Sequence, residues 1–306
     1  MEETPDVPPF PDRRQVDATL VGVLIASQFP QWSDLPVRPV DIQGWDNCSF
    51  RLGDEMLVRL PTAVEYAAAV EKEHDWLPVL APSVPLPIPV PLAKGVPGNG
   101  YPHPWSVYRW HEGEPANRAT IEDPVGFAVT LAEFLLALQR VDPTDGPPPG
   151  VHNWFRGGPL STFDAWTRQS LDTMAGRIRT DLAQQIWERA LRAEWDGHPV
   201  WFHGDIAPGN LLLRDGTLAA VIDFGTCGVG DPACDLAIAW TLPSDEARQA
   251  FRDRLAVDRA TWERGEGWAL WYALKRCADA VRDGEQPPQA ESDTVRTLLS
   301  AYQRAE

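Results

Sequence analysis

Lysine is scarce. Of 27 basic side chains in 306 residues, only Lys72, Lys94 and Lys275 are lysines, so a cation required at a given place falls on arginine almost by default. Cysteine is scarce too: Cys48, Cys227, Cys234 and Cys277 form no C-x-x-C pair and have little histidine near them, which argues against a zinc site. Positive charge is outweighed by 44 acidic residues, a formal net charge of −17. Such a surface repels phosphate backbones, and neither nucleic acid nor an anionic membrane is expected as a partner. No apolar run approaches the roughly 18 residues that span a bilayer. The opening Met1-Glu2-Glu3-Thr4-Pro5-Asp6 has the character of neither a secretory signal nor a transit peptide, so a cytoplasmic setting with reduced, buried thiols is expected.

What is present is a folded composition, 43% hydrophobic with 14 tryptophans, and a length suited to about two domains or lobes. Apolar spacing predicts a helix from Arg13 to Phe29 with Asp12 as its N-cap. The period then shortens to three strands, 37–43, 47–52 and 55–60, with turns at Gly44-Trp45-Asp46 and Gly53-Asp54. Val64 to Leu80 returns to helix. Eight prolines between Pro82 and Pro104 then enforce extended chain, and Trp105–Trp110 reads as a further strand. Residues 1–110 therefore predict an N-terminal lobe built on a small antiparallel sheet, an α+β arrangement. Residues 111–306 read as mostly helical: 124–140, 161–174, 181–194, 232–242, 245–255, 261–283 and 292–303. A hairpin of Leu211–Leu213 and Leu218–Ile222 around Arg214-Asp215-Gly216 interrupts them.

Chemistry concentrates around that hairpin. His203-Gly204-Asp205 precedes Asn210 by five residues from the aspartate, and Asp223-Phe224-Gly225 follows the second strand. The outer ends of a tight hairpin meet, so Asn210 and Asp223 can offer Mg²⁺ one neutral and one anionic oxygen beside substrate phosphates. Asp205 is left without metal duty, able to accept or orient the proton of an attacking hydroxyl. A metallophosphoesterase would need further histidines, and none follows His203.

This pattern resembles the catalytic loop of the protein-kinase superfamily. The H-G-D form, together with Gly230-Asp231-Pro232-Ala233-Cys234-Asp235-Leu236-Ala237, is similar to the aminoglycoside phosphotransferase family, including its macrolide phosphotransferase relatives. The resemblance implies a bilobal kinase-like fold, ATP or GTP with Mg²⁺, and a small-molecule hydroxyl acceptor. Only five residues separate Gly225 from Asp231, too few for a regulated activation loop, so no protein substrate is expected. By the same resemblance, Arg59 stands where the family has a lysine for the α- and β-phosphates. Glu71 and Glu73 compete as its helical partner, and the family pattern selects Glu73. Ser49 would sit in the phosphate-covering loop. Arg109, Trp110 and His111 would meet the base in the connector between lobes. His203 and Asp235 would brace the catalytic loop.

Asp231, Glu263 and Glu266, with other acids of the helical part, suggest a cleft for a cationic acceptor, most readily an aminoglycoside. A macrolide, a sugar or an amino alcohol such as choline are the alternatives. The aromatic stripe Trp268, Trp271 and Tyr272 reads first as core. Arg59 in place of lysine also leaves open a nucleotide-binding module without catalysis.

Overall fold

Strand β2 (Asn47–Leu52) alternates between buried and half-buried positions, and β3 (Met56–Pro61) buries Val58 and Leu60 on the same side. These faces require an apolar cover. It comes from α1 (Ala18–Gln28), whose Val21, Leu24 and Ile25 pack with Phe50, Leu52, Val58 and Leu60. Burying side chains of this size contributes about 1.5–3 kcal/mol each. The computed structural model describes residues 16–41, 43, 44 and 46–305. Asp12, the expected cap of α1, lies outside them; the helix is capped instead by Asp17, which accepts a hydrogen bond from the Leu20 N–H at 2.8 Å.

The chain divides into two units, the first running to Pro82 and resuming over Ile88–Glu112. Its sheet has the order β1-β2-β3-β5-β4, all antiparallel, with β1 at Val37–Pro39, α2 at Val64–Leu80, β4 at Pro91–Gly95 and β5 at Trp105–Arg109. The register places Ser49 opposite Arg59 and Arg59 opposite Ser106. β4 arises within the proline-rich tract. A strand holding Pro91 is tolerated there because β4 lies at the sheet edge, where a missing N–H breaks no interior ladder. Gly95 lets it lie against Trp105: a Cβ there would fall 1.9 Å from the indole.

The second unit comprises Ser83–Pro87 and Gly113–Glu306. It contains β6 (Glu114–Pro115), α3 (Pro124–Leu138), α4 (Asp164–Thr173), α5 (Thr180–Arg192) and β7 (Val200–Phe202). The hairpin of β8 (Leu211–Arg214) and β9 (Thr217–Val221) follows, then β10 (Gly228–Gly230), α6 (Asp245–Leu255), α7 (Arg259–Arg282) and α8 (Gln289–Ala305). β6 extends the hairpin into three strands, and β7 pairs with β10. α7 is the spine, with Trp262, Trp268, Leu270, Trp271 and Leu274 buried. It approaches its neighbours closely through Gly265 and Gly267, where an added Cβ would come within 2.6 Å of Leu236 and of Ala190.

The helix expected over 232–242 is a 3₁₀ segment, Pro232–Trp240. Its cap Asp231 pairs with Arg264, and Asp235 within it bonds the backbone after β7. All four cysteines are buried and unbridged. Among the described residues no helix is long and apolar enough to cross a membrane.

Candidate active site

β7 delivers the chain to His203, and the next residue must turn back. Gly204 does so at φ +84°, and a Cβ there would lie 2.7 Å from the Thr226 carbonyl oxygen, so this position excludes every side chain. The buried Asp235 carboxylate accepts hydrogen bonds from the His203 N–H at 2.8 Å and the Gly204 N–H at 2.7 Å. His203 donates from Nε2 to the Ile222 carbonyl at 3.0 Å. Its Nδ1 then accepts the Asp205 N–H at 3.2 Å, one tautomer serving both bonds. The ring stands edge-on to Phe224, centroids 4.5 Å apart, and Phe224 is fully buried. The His203 and Asp235 of the sequence reading thus grip the loop's backbone from two sides.

Asp205 is held in turn by Asn210, whose Nδ2 donates to the Asp205 carbonyl at 2.9 Å and to its carboxylate at 3.0 Å. The Ile222 N–H bonds the Asn210 carbonyl at 2.9 Å, which brings the hairpin's outer ends together. Asp223 follows with a left-handed backbone, φ 68° and ψ 67°, strain of the kind that collects at functional sites. Burial raises the pKa of Asp205 from its ordinary value, and the charge of Asp223 raises it further. Arg156 and the Asn210 hydrogen bond oppose the rise.

With Nδ2 spent on Asp205, the Asn210 side-chain oxygen is the atom left for a ligand. Together with Asp223 it makes a two-donor set. Among the described residues no cluster of three or more His, Cys, Asp or Glu forms a protein-only cage. Two protein oxygens fit Mg²⁺, which completes its shell from phosphates and water.

In the first unit, Arg59 lies 3.7 Å from the buried Glu73, and the Tyr108 hydroxyl donates to the same carboxylate. Glu71, the rival acid, turns to the surface and pairs with Lys94 at 2.6 Å. The Ser49 N–H is bonded to Gln43 at 2.8 Å, which leaves the hydroxyl as the group able to meet a phosphate. Backbone N–H groups of Arg109 and Trp110 bond Val90 and Glu55, so a base read here would use the His111 N–H or the carbonyl oxygens. His111 bonds the Ile88 carbonyl at 2.8 Å, and Arg51 stacks over Trp110 at 4.0 Å.

The three acids expected at an acceptor cleft are not gathered around Asp205. Asp231 is buried in a two-point pair with Arg264, at 2.6 and 3.1 Å, and caps Ala233. Glu266 pairs with Arg189, and Glu263 with Arg259 at 2.7 Å and Arg189 at 3.8 Å. Asp205 instead opens on a cavity of about 550 Å³ walled by Arg156, Trp268, Trp271, Tyr272 and Glu291. Trp268 and Trp271 are therefore both core and cavity wall. Arg156, on this wall, is a residue that no motif or apolar period in the sequence marks.

Sheet, helical spine and aspartate-centred loop define a phosphotransferase. The chain belongs to the phosphotransferase enzyme family, whose pattern it matches over residues 37–274. Among solved structures it is similar to the GDP and kanamycin complex of APH(2")-IIia, at 19% identity and a TM-score of 0.69, covering 94% of this chain and 99% of that one. It is similar to the streptomycin-ATP-APH(2")-IIa ternary complex at 15% identity and a TM-score of 0.57, covering 93% and 96%. It is also similar to macrolide 2'-phosphotransferase MphH from Brachybacterium faecium, at 21% identity and a TM-score of 0.59, covering 95% and 99%. No curated protein matches the chain significantly.

Proposed function

We propose that this chain transfers the γ-phosphoryl group of a nucleoside triphosphate, ATP or GTP, to a hydroxyl of a small-molecule acceptor. One observation carries the reading. Asp205, fixed by His203, Asn210 and the turn at Gly204, presents a carboxylate of raised pKa at the wall of a cavity large enough for such an acceptor.

The acceptor oxygen forms its bond to the γ-phosphorus as the bond to the β,γ-bridging oxygen breaks, and the hydroxyl proton passes to the Asp205 carboxylate. Arg59, aimed by Glu73 and Tyr108, holds the α- and β-phosphates, with the Ser49 hydroxyl beside them. Arginine keeps the charge of the family's lysine and adds a planar fork suited to phosphate oxygens. The base lies against residues Arg109, Trp110 and His111. Asn210 and Asp223 would hold Mg²⁺, which when bound neutralises charge on the phosphates. The protein's contribution is positioning and electrostatics. A nucleoside triphosphate as donor supports a cytoplasmic setting.

The antibiotics named in the similar structures make aminoglycosides the first acceptors to assay and macrolides the second, with resistance as the corresponding biological role. Asp231, Glu263 and Glu266 as binders of a polycation find less support, because each is already neutralised by arginine. A binding module without catalysis is disfavoured by the intact Asp205, Asn210 and Asp223 set. Release of ADP from ATP, or of GDP from GTP, across an acceptor panel, paired with drug-susceptibility testing of cells expressing the chain, tests the proposal. Transfer to at least one hydroxyl acceptor, lost on Asp205→Ala by a factor on the order of 10² or more, is the expected result. Undiminished turnover in that variant would remove Asp205 from its role.

A further inference from the structure

The similar structures put aminoglycosides first in assay; the charges of the Asp205 cavity rank acceptors differently. Among the described residues, those that bring charge to its wall are Asp205, Glu291, Asp293 and Arg156. Glu291 is bound by Arg276 at 2.5 Å and Asp293 by Arg296 at 2.6 Å. Burial raises the pKa of Asp205, and the charge of Arg156 opposes that rise. Three carboxylates therefore stand against three guanidinium groups. A polycation entering here would give up water at several ammonium groups and find each acid already answered by arginine.

Carbon is what the wall offers in quantity. Ile121, Ala207, Pro208, Pro243 and Tyr272 line it and are half-buried or exposed, so their apolar surface is open to a ligand. Tyr272 is the largest of them. Over residues 267–274 of α7 every side is buried except at Tyr272, which is 38% exposed. Its ring is held in place from two helices. Trp271 stands edge-on to it with centroids 6.3 Å apart, and the Arg276 guanidinium, fixed by Glu291 of α8, lies 5.8 Å from its centroid. Burial raises the pKa of the Tyr272 hydroxyl and the charge of Asp205 raises it further, so the ring stays uncharged at neutral pH. A braced, neutral aromatic left uncovered at this cavity has area to give to a ligand, and aromatic rings bury more apolar surface than other side chains.

Resting on the phosphotransferase reading above, we infer that the acceptor is a mainly apolar alcohol carrying at most one positive charge, and that Tyr272 sets this preference by packing on its carbon skeleton while Asp205 meets its hydroxyl. Tyr272 is a specificity-determining residue in this scheme, and Arg276 and Glu291 act through it by fixing its ring.

Calorimetric titration of the full chain with two hydroxyl-rich probes tests this: erythromycin, a large apolar lactone with one amine, and kanamycin, a small polar polyamine. Erythromycin is expected to bind more tightly by about tenfold or more, as burial of apolar area on an aromatic wall demands. Its affinity should change by less than about twofold between roughly 50 and 500 mM salt, whereas a polycation held by acids weakens steeply over that range. Tyr272→Ala should weaken erythromycin by about tenfold, Tyr272→Phe should stay near wild type, and both should bind ATP as wild type does. In turnover the loss in Tyr272→Ala should fall on the KM for acceptor and spare the KM for nucleotide. Equal or tighter binding of kanamycin, no binding of either probe at millimolar concentration, or erythromycin affinity indifferent to Tyr272→Ala overturns the inference. If the wild-type chain binds neither ATP nor GTP, the kinase reading falls and this inference with it. If it transfers phosphate to kanamycin and not to erythromycin, the kinase reading stands and this inference falls alone.

Discussion

Asn210 spends its side-chain N–H₂ on Asp205, bonding the aspartate's own carbonyl and its carboxylate from one nitrogen. The bond does two things: it fixes the carboxylate's direction, and it lowers a pKa that burial and Asp223 have raised. A base must be ionised to work, so activity should rise as pH climbs through the Asp205 pKa and fall below it. The acid limb of kcat/KM is expected at higher pH than an unperturbed aspartate would give. Asn210→Ala removes a lowering contribution, so its limb should move to higher pH while the plateau falls by about tenfold or more. A pH–rate profile of both proteins checks the direction; a limb that moves down would contradict it.

The Asp235 carboxylate makes its two bonds to the backbone of His203 and Gly204 in full burial. Asp235→Ala would leave two buried N–H groups unsatisfied, at a cost of about 1–3 kcal/mol for each. Chemical denaturation should show a loss of that order, and turnover should drop without a matching rise in the KM for nucleotide, because the nucleotide's own contacts are untouched.

Gly204→Ala tests the turn itself. The substituted residue would need a φ that L-residues avoid, and its Cβ would press on the Thr226 carbonyl. Turnover is expected to fall by about 10² or more, since a displacement near 1 Å at a positioned group has effects of that size. Wild-type rates in this variant would show that the loop is not held as described.

Arg59 and Glu73 make a prediction confined to nucleotide. Arg59→Met should weaken nucleotide binding by about tenfold or more, a charge-assisted bond to phosphate being the stronger kind, and leave acceptor KM unchanged. Arg59→Lys should restore most of the affinity. Glu73→Gln should weaken binding less, because it loosens the guanidinium without deleting it.

Much of the site was legible because its spacing is local. Asp205, Asn210 and the Asp223-Phe224-Gly225 triplet flank one hairpin, and turn residues announce that hairpin in the sequence. The helices of the second unit were legible from apolar period, and α6 falls on the residues that period marks. What stayed hidden depends on partners distant in the chain. Glu266 meets Arg189 across 77 positions and Asp231 meets Arg264 across 33, so acids that read as free in sequence are paired in space. β4 was masked by prolines that only an edge strand accepts. Arg156 sits in a loop without periodicity, where nothing local distinguishes it from a surface arginine.

The proposed division of duties among Asp205, Asn210 and Asp223 is open to direct measurement. Isothermal titration of ATP, with and without Mg²⁺, into wild type, Asp205→Ala and Asp223→Ala addresses this most directly. The expected result is that Asp205→Ala binds Mg²⁺-ATP as wild type does, whereas Asp223→Ala loses the increment that Mg²⁺ confers. Equal Mg²⁺-dependent binding by all three proteins would contradict it.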